Sequence, residues 1–563
     1  MTMRRTAAFV LLLVVLIGCS ADAPPPADLV LLGGRVVTLD PARPEATAVA
    51  ARGDRIVAIG DEERVRRLVG PDTHVVELVD ELVIPGLIDA HGHFLGLGLS
   101  QMQLDLTSAA SWNELVESVA AAAAEAPAGS WVVGRGWHQE KWAVAAEPSV
   151  EGLPVHDELS RSVPDHPVLL VHASGHAAMV NRRALDMAGI TADTPDPPGG
   201  EIVRRADGEP TGVLRETAEE LVATLAAERT DPAAIRRRVE LAGAECLRHG
   251  VTSFQDAGTS LGELETLRAM AEEGALPIRL WVMLDDDTET LRTALPRVIV
   301  RGAGRNHLTV GGIKRWVDGA LGSHGAWLLA PYDDLPTSTG LNIVTADELR
   351  AAALLAAEHR LQLCSHAIGD RANRVTLDVY ESVLTGLSDG DDRRWRVEHA
   401  QHLHPDDIPR FARLGVVASM QPVHCTSDGP WVVPRLGERR AREGAYMWRG
   451  LLDSGALLAS GTDVPVEPVD PIATFHAAVT RKMADGAPFH AGQAMTRDEA
   501  LRSMTLDAAR AAFEEDLKGS LDVGKLADLT VLSADLLEVP EDEIQDVEVV
   551  YTIVGGEVRY AAR

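Results

Sequence analysis

The feature that most constrains this chain is a series of short apolar segments that alternate with helical stretches rich in Ala, Leu, Glu and Arg. This alternation is typical of βα units arranged around a parallel sheet. Eight apolar segments are predicted as barrel strands, at residues 82–91, 251–256, 277–284, 312–318, 361–366, 395–399, 416–421 and 457–463. Eight such strands predict a closed (β/α)8 barrel.

Almost every predicted strand ends in, or carries near its end, a polar or ionisable residue. These residues are His91, His93, Asp256, Lys314, His366, His399, Gln421 and Asp463. Strand ends of a (β/α)8 barrel converge on one face, where active sites lie. An open doubly wound sheet would also bind ligands at strand ends. However, no glycine-rich dinucleotide-binding motif follows the first barrel-type strand, so dinucleotide binding is not expected.

The remaining segments predict two additions to the barrel. Both ends of the chain carry short β-type runs bounded by Gly and Asp, so we expect residues 29–81 and 516–563 to form one small β-sandwich domain beside a barrel at 82–515. The connection after the first barrel strand is far longer than a βα connection requires. Residues 95–245 are therefore predicted to be an inserted subdomain above the barrel. The predicted fold class is α/β, a TIM-type barrel with a composite β-sandwich domain and this insertion.

The net charge of the chain limits the kinds of partner that it can bind. The 563 residues include 53 Lys and Arg against 84 Asp and Glu, a formal net charge of −31. Phosphate backbones and anionic lipid would repel such a chain, so nucleic-acid binding is not expected. A small molecule is the expected ligand, and the oligomeric state stays open, with a homodimer as one compatible form.

The N-terminus predicts export. Residues 1–19 comprise a basic start, an apolar run too short to span a membrane, and Leu-Ile-Gly-Cys, which resembles a bacterial lipobox acylated at Cys19. Residues 20–28, with three consecutive prolines, predict a stiff linker. The expected location is the bacterial cell envelope, periplasmic or on the outer face of a membrane, with lipid as the sole membrane contact. The alternative is an ordinary secretion signal with a chance cysteine.

His91-Gly92-His93 ends the first barrel strand. Residues i and i+2 of a strand share a face, so the two imidazoles can bind one divalent metal ion. The pattern is weak alone, but the ionisable ends of later strands strengthen it. Imidazole and carboxylate donors suit zinc, with manganese, iron, cobalt and nickel as alternatives.

Several motifs together resemble a known family. Residues 84–93, Ile-Pro-Gly-Leu-Ile-Asp-Ala-His-Gly-His, resemble the first-strand signature of the metal-dependent amidohydrolase superfamily. Further matches occupy residues 312–319, 365–371, 397–401, 460–465 and 519–529. In this order they resemble the amidohydrolase-3 branch, which includes N-substituted formamide deformylases, over nearly the whole predicted mature chain.

The resemblance implies a site for two metal ions, expected to be zinc. Its ligands would be His91, His93, Lys314, His366, His399 and Asp463. Lys314 matches a lysine that is carboxylated in this family to N6-carboxylysine and bridges the metals, since a carbamate, unlike an ammonium, is anionic. Asp463 matches the eighth-strand acid, expected to serve as general base and then general acid. A metal-bound hydroxide would then cleave the C–N bond of an amide, an N-formyl or N-acyl amine, or a cyclic amide.

Alternatives stay open at this point. Lys314 could pair with Asp318 in a one-metal enzyme, and Asp463 could cap a helix. The chain could be a mononuclear metal-dependent deaminase or a non-catalytic ligand-binding lipoprotein.

Three residues outside the proposed metal ligands have other expected roles. Trp137 and His176 lie in inserted stretches similar to family motifs and are candidates for the substrate pocket. Glu398 precedes His399, and strand alternation predicts that it points to the opposite face, with a structural role.

Overall fold

The computed structural model describes residues 25–226, 231–387 and 392–562. The predicted signal peptide and Cys19 lie outside the described residues. Within those ranges, no helix combines the length and apolar character needed to cross a membrane.

A nearly closed barrel of parallel strands forms the centre of the protein and confirms the predicted fold class. Counted over the described residues, eight strands follow chain order around the sheet: Leu87–Gly92, Val251–Thr259, Arg279–Leu284, Leu308–Trp316, Gln362–Ala367, Arg396–His399, Val417–Met420 and Leu458–Ser460. The last and first strands meet where the Asp463 N–H donates to the His91 carbonyl oxygen at 2.7 Å. This approach requires glycine at 461, because a Cβ there would lie 2.3 Å from the His91 nitrogen.

Helices lie between the barrel strands or follow the last one. They span Phe94–Ser100, Pro232–Arg248, Leu261–Glu273, Thr288–Val298, Ala303–Asn306, Ala346–Glu358, Asp370–Leu384, Ile408–Leu414, Pro422–Gly444, Trp448–Ser454, Pro471–Thr480, Arg497–Ser503 and Leu506–Ala511. Local sequence determines several starts, since Ser260 with Glu263, and Thr345 with Glu348, form capping boxes.

The segment predicted as one strand at 82–91 is two strands in two sheets. Leu82–Pro85 pairs with strands from both chain ends, and only Leu87–Gly92 belongs to the barrel. Gly86 separates them: its N–H donates to the Asp528 carbonyl oxygen at 2.9 Å, and a Cβ there would lie 2.2 Å from the Thr252 hydroxyl oxygen. The apolar pattern runs through both strands because both are buried, so the pattern alone hides the boundary.

Strands from the two chain ends form one sheet, which we call the terminal sheet. It contains Leu29–Val37, Glu45–Arg52, Arg55–Gly60, His74–Glu77, Leu82–Pro85, Leu529–Leu532, Val549–Val554 and Glu557–Ala561. The strand Leu82–Pro85 joins its N-terminal and C-terminal parts by pairing with both. A short helix, Glu62–Arg66, packs against this sheet.

The terminal sheet and the barrel meet at a buried ion pair. Arg279, at the start of the third barrel strand, donates through Nε to Asp528 Oδ2 at 2.7 Å and through Nη2 to Oδ1 at 2.9 Å. The Gly555 N–H also donates to Asp528 Oδ1, at 2.8 Å. Burial alone raises the pKa of Asp528, but the Arg279 guanidinium more than offsets this, so the net pKa lies below its ordinary value.

The long connection after the first barrel strand carries its own sheet. The strands of this inserted sheet are Leu104–Asp105, Val132–Trp137, Val168–His172, Ala177–Val180, Gly200–Arg204 and Pro210–Glu216, with a small pair at Ser149–Val150 and Leu153–Pro154. Its helices are Trp112–Glu125, Asp157–Ser162, Arg182–Ala188 and Glu220–Ala226. The insertion buries a separate apolar cluster that includes Trp112, Leu115 and Val168.

Candidate metal centre

Side chains from distant parts of the chain meet at the carboxyl end of the barrel. Ligand atoms of His91, His399 and Asp463 all lie within 4.8 Å of one another. His93 Nε2 lies 3.3 Å from Asp463 Oδ1, and the His366 ring centroid lies 4.5 Å from that of His399. The structure thus brings five of the six predicted ligands into one cluster.

Among the described residues, the cluster contains buried polar atoms that make no hydrogen bond. Within the described part of the chain, His91 Nε2, His366 Nε2 and Asp463 Oδ1 accept and donate no hydrogen bond. Such atoms are costly to bury, and each one calls for an explanation such as an ion or a ligand. His91 Nε2 and Asp463 Oδ1 lie 3.5 Å apart and fit the donor preferences of a divalent metal ion such as zinc, and His366 Nε2 lies 3.6 Å from Asp318 Oδ1.

The protonation states of these side chains also suit metal binding. Burial lowers the pKa of His93 to about 4 and lowers the pKa values of His366 and His399 well below the ordinary value, so these rings are neutral at pH 7. Burial alone raises the pKa of Asp463, but its contacts with His91 and His93 more than offset this, and the group is a carboxylate. Neutral imidazoles and an ionised carboxylate are the forms that bind metal.

Lys314, the sixth predicted ligand, lies in the fourth barrel strand and is 1% exposed. Its Nζ lies 5.1 Å from the ring centroid of Trp316. Burial lowers the pKa of Lys314, and the carboxylates of Glu398 and Asp463 partly oppose that shift. Lys314 therefore lies close enough to the carboxylates of the cluster to interact with them electrostatically.

The structure bears on both single-residue alternatives, an ion pair between Lys314 and Asp318 and a helix cap at Asp463. Asp318 accepts hydrogen bonds from the backbone N–H groups of Trp327, Ile368 and Gly369, all at 2.8–2.9 Å, so it holds the loop after the fifth strand. The helix that follows Asp463 begins at Pro471, and its cap is Asp470, not Asp463.

Glu398 is a site residue that alternation assigned to the wrong face. His91 Nδ1–H donates to Glu398 Oε2 at 2.5 Å, and Arg396 Nε lies 2.8 Å from Oε1. Alternation fails because His399 and Ala400 adopt φ values of 74° and 45°, which turn His399 toward the site that Glu398 already faces. No local residue type signals this turn, since neither position is glycine.

Glu398 and Gln421 orient two of the imidazoles. Because Glu398 accepts from His91 Nδ1, the lone pair of a neutral His91 ring is on Nε2, the atom that faces the cluster. Gln421 Oε1 likewise accepts from His399 Nδ1 at 2.7 Å, and the Gln421 amide is oriented by donating to the Ser419 carbonyl oxygen. Carboxylate and amide partners of this kind position metal-binding histidines.

A pocket opens onto this cluster. Barrel residues His366, His399, His424 and Asp463 form part of its wall. The inserted subdomain contributes His138, Lys141, Ala173, Ser174 and His176 to the same wall. A substrate in this pocket would therefore contact both the barrel and the insertion.

The structure separates the two residues predicted to bind substrate. His176 lines the pocket, its ring centroid lies 4.8 Å from that of His366, and its Nδ1 donates to Glu216 Oε2 at 2.8 Å. Trp137 lies elsewhere: its side chain is fully buried in the apolar cluster of the insertion, and Nε1 donates to the Leu170 carbonyl oxygen at 2.9 Å. An amphipathic tryptophan is as readily a core residue as a pocket residue, and the motif does not distinguish them.

Comparisons with known proteins agree with this geometry. A family model described as the amidohydrolase family matches residues 74–560. Protein LONG AFTER FAR-RED 3 of Arabidopsis thaliana is 35% identical, over 95% of this chain and 92% of that protein. The N-substituted formamide deformylase of Arthrobacter pascens is 30% identical, over 95% of this chain and 98% of that protein.

Similarity extends to a solved structure. The crystal structure of an uncharacterized metal-dependent hydrolase from Pyrococcus horikoshii aligns with a TM-score of 0.73 and 28% identity. The alignment covers 91% of this chain and 99% of that chain.

Proposed function

This chain belongs to the amidohydrolase family, a group of metal-dependent hydrolytic enzymes, and from that premise we propose that it cleaves a carbon–nitrogen bond at a carbonyl carbon. The substrate classes proposed are amides, N-formyl and N-acyl amines, and cyclic amides. The observation that carries the proposal is the buried carboxylate of Asp463, surrounded by imidazoles at the wall of the pocket, with Oδ1 free of hydrogen bonds in the described structure.

The proposed metal ligands are the six residues predicted from the sequence. His91, His93, His366, His399 and Asp463 would hold two zinc ions together with Lys314 as N6-carboxylysine; manganese, iron, cobalt and nickel are the alternatives. Divalent ions bound there would supply an activated water and polarise the substrate carbonyl.

Asp463 is proposed to move the proton. Its carboxylate accepts a proton from the attacking water as the new C–O bond forms. The same group then returns this proton to the nitrogen as the C–N bond breaks. The contacts with His91 and His93 that favour the ionised form keep Asp463 unprotonated before the water attacks.

The substrate is proposed to lie between the barrel and the insertion. His176, oriented by Glu216, would contact it from the insertion side. The similarity to a protein named N-substituted formamide deformylase makes N-substituted formamides the first compounds to test.

The test measures metal content by mass spectrometry beside hydrolysis of a panel of N-formyl and N-acyl amines. We expect two metal ions per chain and hydrolysis of at least one panel member. Lys314→Ala should lose one metal ion and its activity. An added short carboxylic acid should restore part of the activity. One metal ion per chain with ammonia release from an amino-substituted ring would instead favour a mononuclear deaminase, and bound metal without hydrolysis a ligand-binding protein.

The location is a separate proposal. We infer from residues 1–19 that the protein is lipid-anchored at Cys19 in a bacterial cell envelope. Metabolic labelling with a radioactive fatty acid should label the full-length protein and fail to label Cys19→Ser. Labelling of both proteins would contradict the proposal.

A further inference from the structure

His424 lies in the pocket wall and is not among the predicted ligands. It is in the first turn of the helix Pro422–Gly444, directly after the seventh barrel strand, and is 6% exposed. Its Nε2 lies 3.8 Å from Asp463 Oδ2 and makes no hydrogen bond within the part of the chain that the structure describes. A buried nitrogen beside the proposed proton-transfer group therefore faces the space where substrate would bind.

The opposite nitrogen of the His424 ring faces a hydrogen-bond donor. Gln401 Nε2 donates to His424 Nδ1 at 3.3 Å and lies 3.5 Å from Asp428 Oδ2. A carboxylate only accepts, so the NH₂ end of the Gln401 amide is the end that faces both partners. Nδ1 is then an acceptor, so Nε2 is the His424 ring nitrogen that carries a hydrogen.

Contacts behind Gln401 fix this arrangement. The Tyr446 hydroxyl donates to Asp428 Oδ2 at 2.8 Å, and the Tyr446 N–H donates to the Gln401 carbonyl oxygen at 2.7 Å. Asp428 and Tyr446 are thus held to the same residue that orients His424. The four side chains form one connected network, in which His424, Gln401 and Asp428 line the pocket.

This pattern is opposite to that of two of the proposed metal ligands, His91 and His399. His91 and His399 donate through Nδ1 to Glu398 and Gln421, which leaves a lone pair on Nε2 of each neutral ring. His424 accepts at Nδ1, so its Nε2 carries a hydrogen. That hydrogen makes Nε2 a donor to an anionic oxygen and a poor ligand for a cation.

We propose that His424 is a further catalytic residue, whose Nε2–H donates a hydrogen bond to the substrate carbonyl oxygen as negative charge develops on it. Gln401, Asp428 and Tyr446 are the positioning residues that hold its tautomer and orientation. The proposal rests on the proposed hydrolysis of a carbonyl compound. Donors placed in advance at such an oxygen stabilise the transition state more than the bound substrate.

The kinetic test uses the metal-loaded full chain and four variants. His424→Ala should keep its full metal content, lose about 100-fold in kcat and change KM by less than about threefold. His424→Gln, which places an amide N–H near the position of Nε2, should retain more activity than His424→Ala. Tyr446→Phe should lose about three- to tenfold in kcat. His476→Gln, on the helix Pro471–Thr480 and outside the pocket wall, is the control and should match wild type.

A binding test separates this inference from the proposed function. Methylphosphonate is a tetrahedral anion that mimics the charged oxygen, and calorimetry should show binding to wild type that is about tenfold weaker in His424→Ala. That result with no hydrolysis of any panel compound would refute the proposed function and leave the anion-donor role of His424 intact. Loss of metal from His424→Ala, an unchanged kcat, a rise in KM alone, or methylphosphonate affinity that is absent or equal in the two proteins would overturn the inference.

Discussion

Charged groups are buried both at the interface between the barrel and the terminal sheet, which we call the seam, and at the carboxyl end of the barrel. The two regions differ in whether the protein itself pairs these groups. At the seam, Arg279 and Asp528 make two hydrogen bonds to each other, and Arg279 Nη1 also donates to the backbone at Arg305 and Asn306. At the barrel end, Asp463 Oδ1 and His91 Nε2 make no hydrogen bond within the described structure.

The difference shows what each region is built for. A charge that the protein itself pairs fixes the position of two elements, here the third barrel strand and the terminal sheet. A buried polar atom that the protein leaves open lowers stability and is available to a ligand. Substitutions should therefore damage stability at the seam and activity at the barrel end.

The largest expected effect is on activity, at Asp463. Asp463→Asn should lower kcat by at least about 10³-fold, because an amide cannot accept the proton from water. The melting temperature of the metal-free protein should fall less than that of Arg279→Met, because only the His91 and His93 contacts that favour the ionised Asp463 are weakened. Initial rates of the metal-loaded protein and thermal unfolding of the metal-free protein measure the two effects. Activity within tenfold of wild type, or a large loss of stability, would place Asp463 with the structural residues.

The next effect is on stability, at the seam. Arg279→Met should lower the free energy of unfolding by about 3–5 kcal/mol, because it leaves the Asp528 carboxylate buried without its cation. Denaturant unfolding should show this, and activity per folded molecule should be unchanged.

The double variant Arg279→Met/Asp528→Leu is the matched control and should recover most of the lost stability. The loss in the single variant should also depend on pH. The folded-state pKa of Asp528 is lowered, so the stabilisation is fully present above the unfolded value near 4 and disappears as pH falls through the folded value. A destabilisation that is the same in the single and double variants would contradict the role of the ion pair.

A smaller effect is expected at Glu398, which shares a feature with each region. Like the residues of the seam it is paired within the protein, but its partner His91 is in the site. Glu398→Gln should weaken metal binding by about 10–100-fold, because a neutral amide holds the His91 tautomer less firmly. Competition with a chelator measures this.

Glu443→Gln is the control for Glu398, because Glu443 pairs with Arg439 on the surface. It should bind metal as wild type does. Equal affinity in both variants would show that Glu398 is structural after all.

The smallest effect is a pH dependence at Asp256, which accepts hydrogen bonds from the Phe94 N–H and Thr259. Burial raises the pKa of Asp256 to about 7, so this group weakens folding as pH rises from about 4 to 7, where the unfolded carboxyl is ionised and the folded one resists ionisation. Asp256→Asn removes that slope. Relative to wild type, the variant should gain about 1 kcal/mol between pH 6 and pH 7, less than one pKa unit's worth. A constant difference across this range would mean that Asp256 is ionised without penalty.

Much of the fold and of the metal cluster could be predicted from local pattern. The alternation of apolar and helical segments determined the barrel, because each strand must bury both faces whatever its neighbours are. The ionisable residues at the strand ends determined which side chains could meet, since barrel topology brings those ends together. This pattern placed His91, His93, His366, His399 and Asp463 among the strand-end residues, and the family resemblance then singled them out as ligands.

What only the tertiary structure decided depends on backbone angles and on partners distant in sequence. The bend at Gly86 divides one apolar run between two sheets, and the positive φ of His399 brings Glu398 and His399 to the same side. Trp137 and His176 both lie in stretches of the insertion that resemble family motifs, yet one is in a core and the other in the pocket. The tautomer of His424 depends on Gln401, which is 23 positions away. A residue's type states which bonds it can make, whereas the folded chain decides which atom is left to make them.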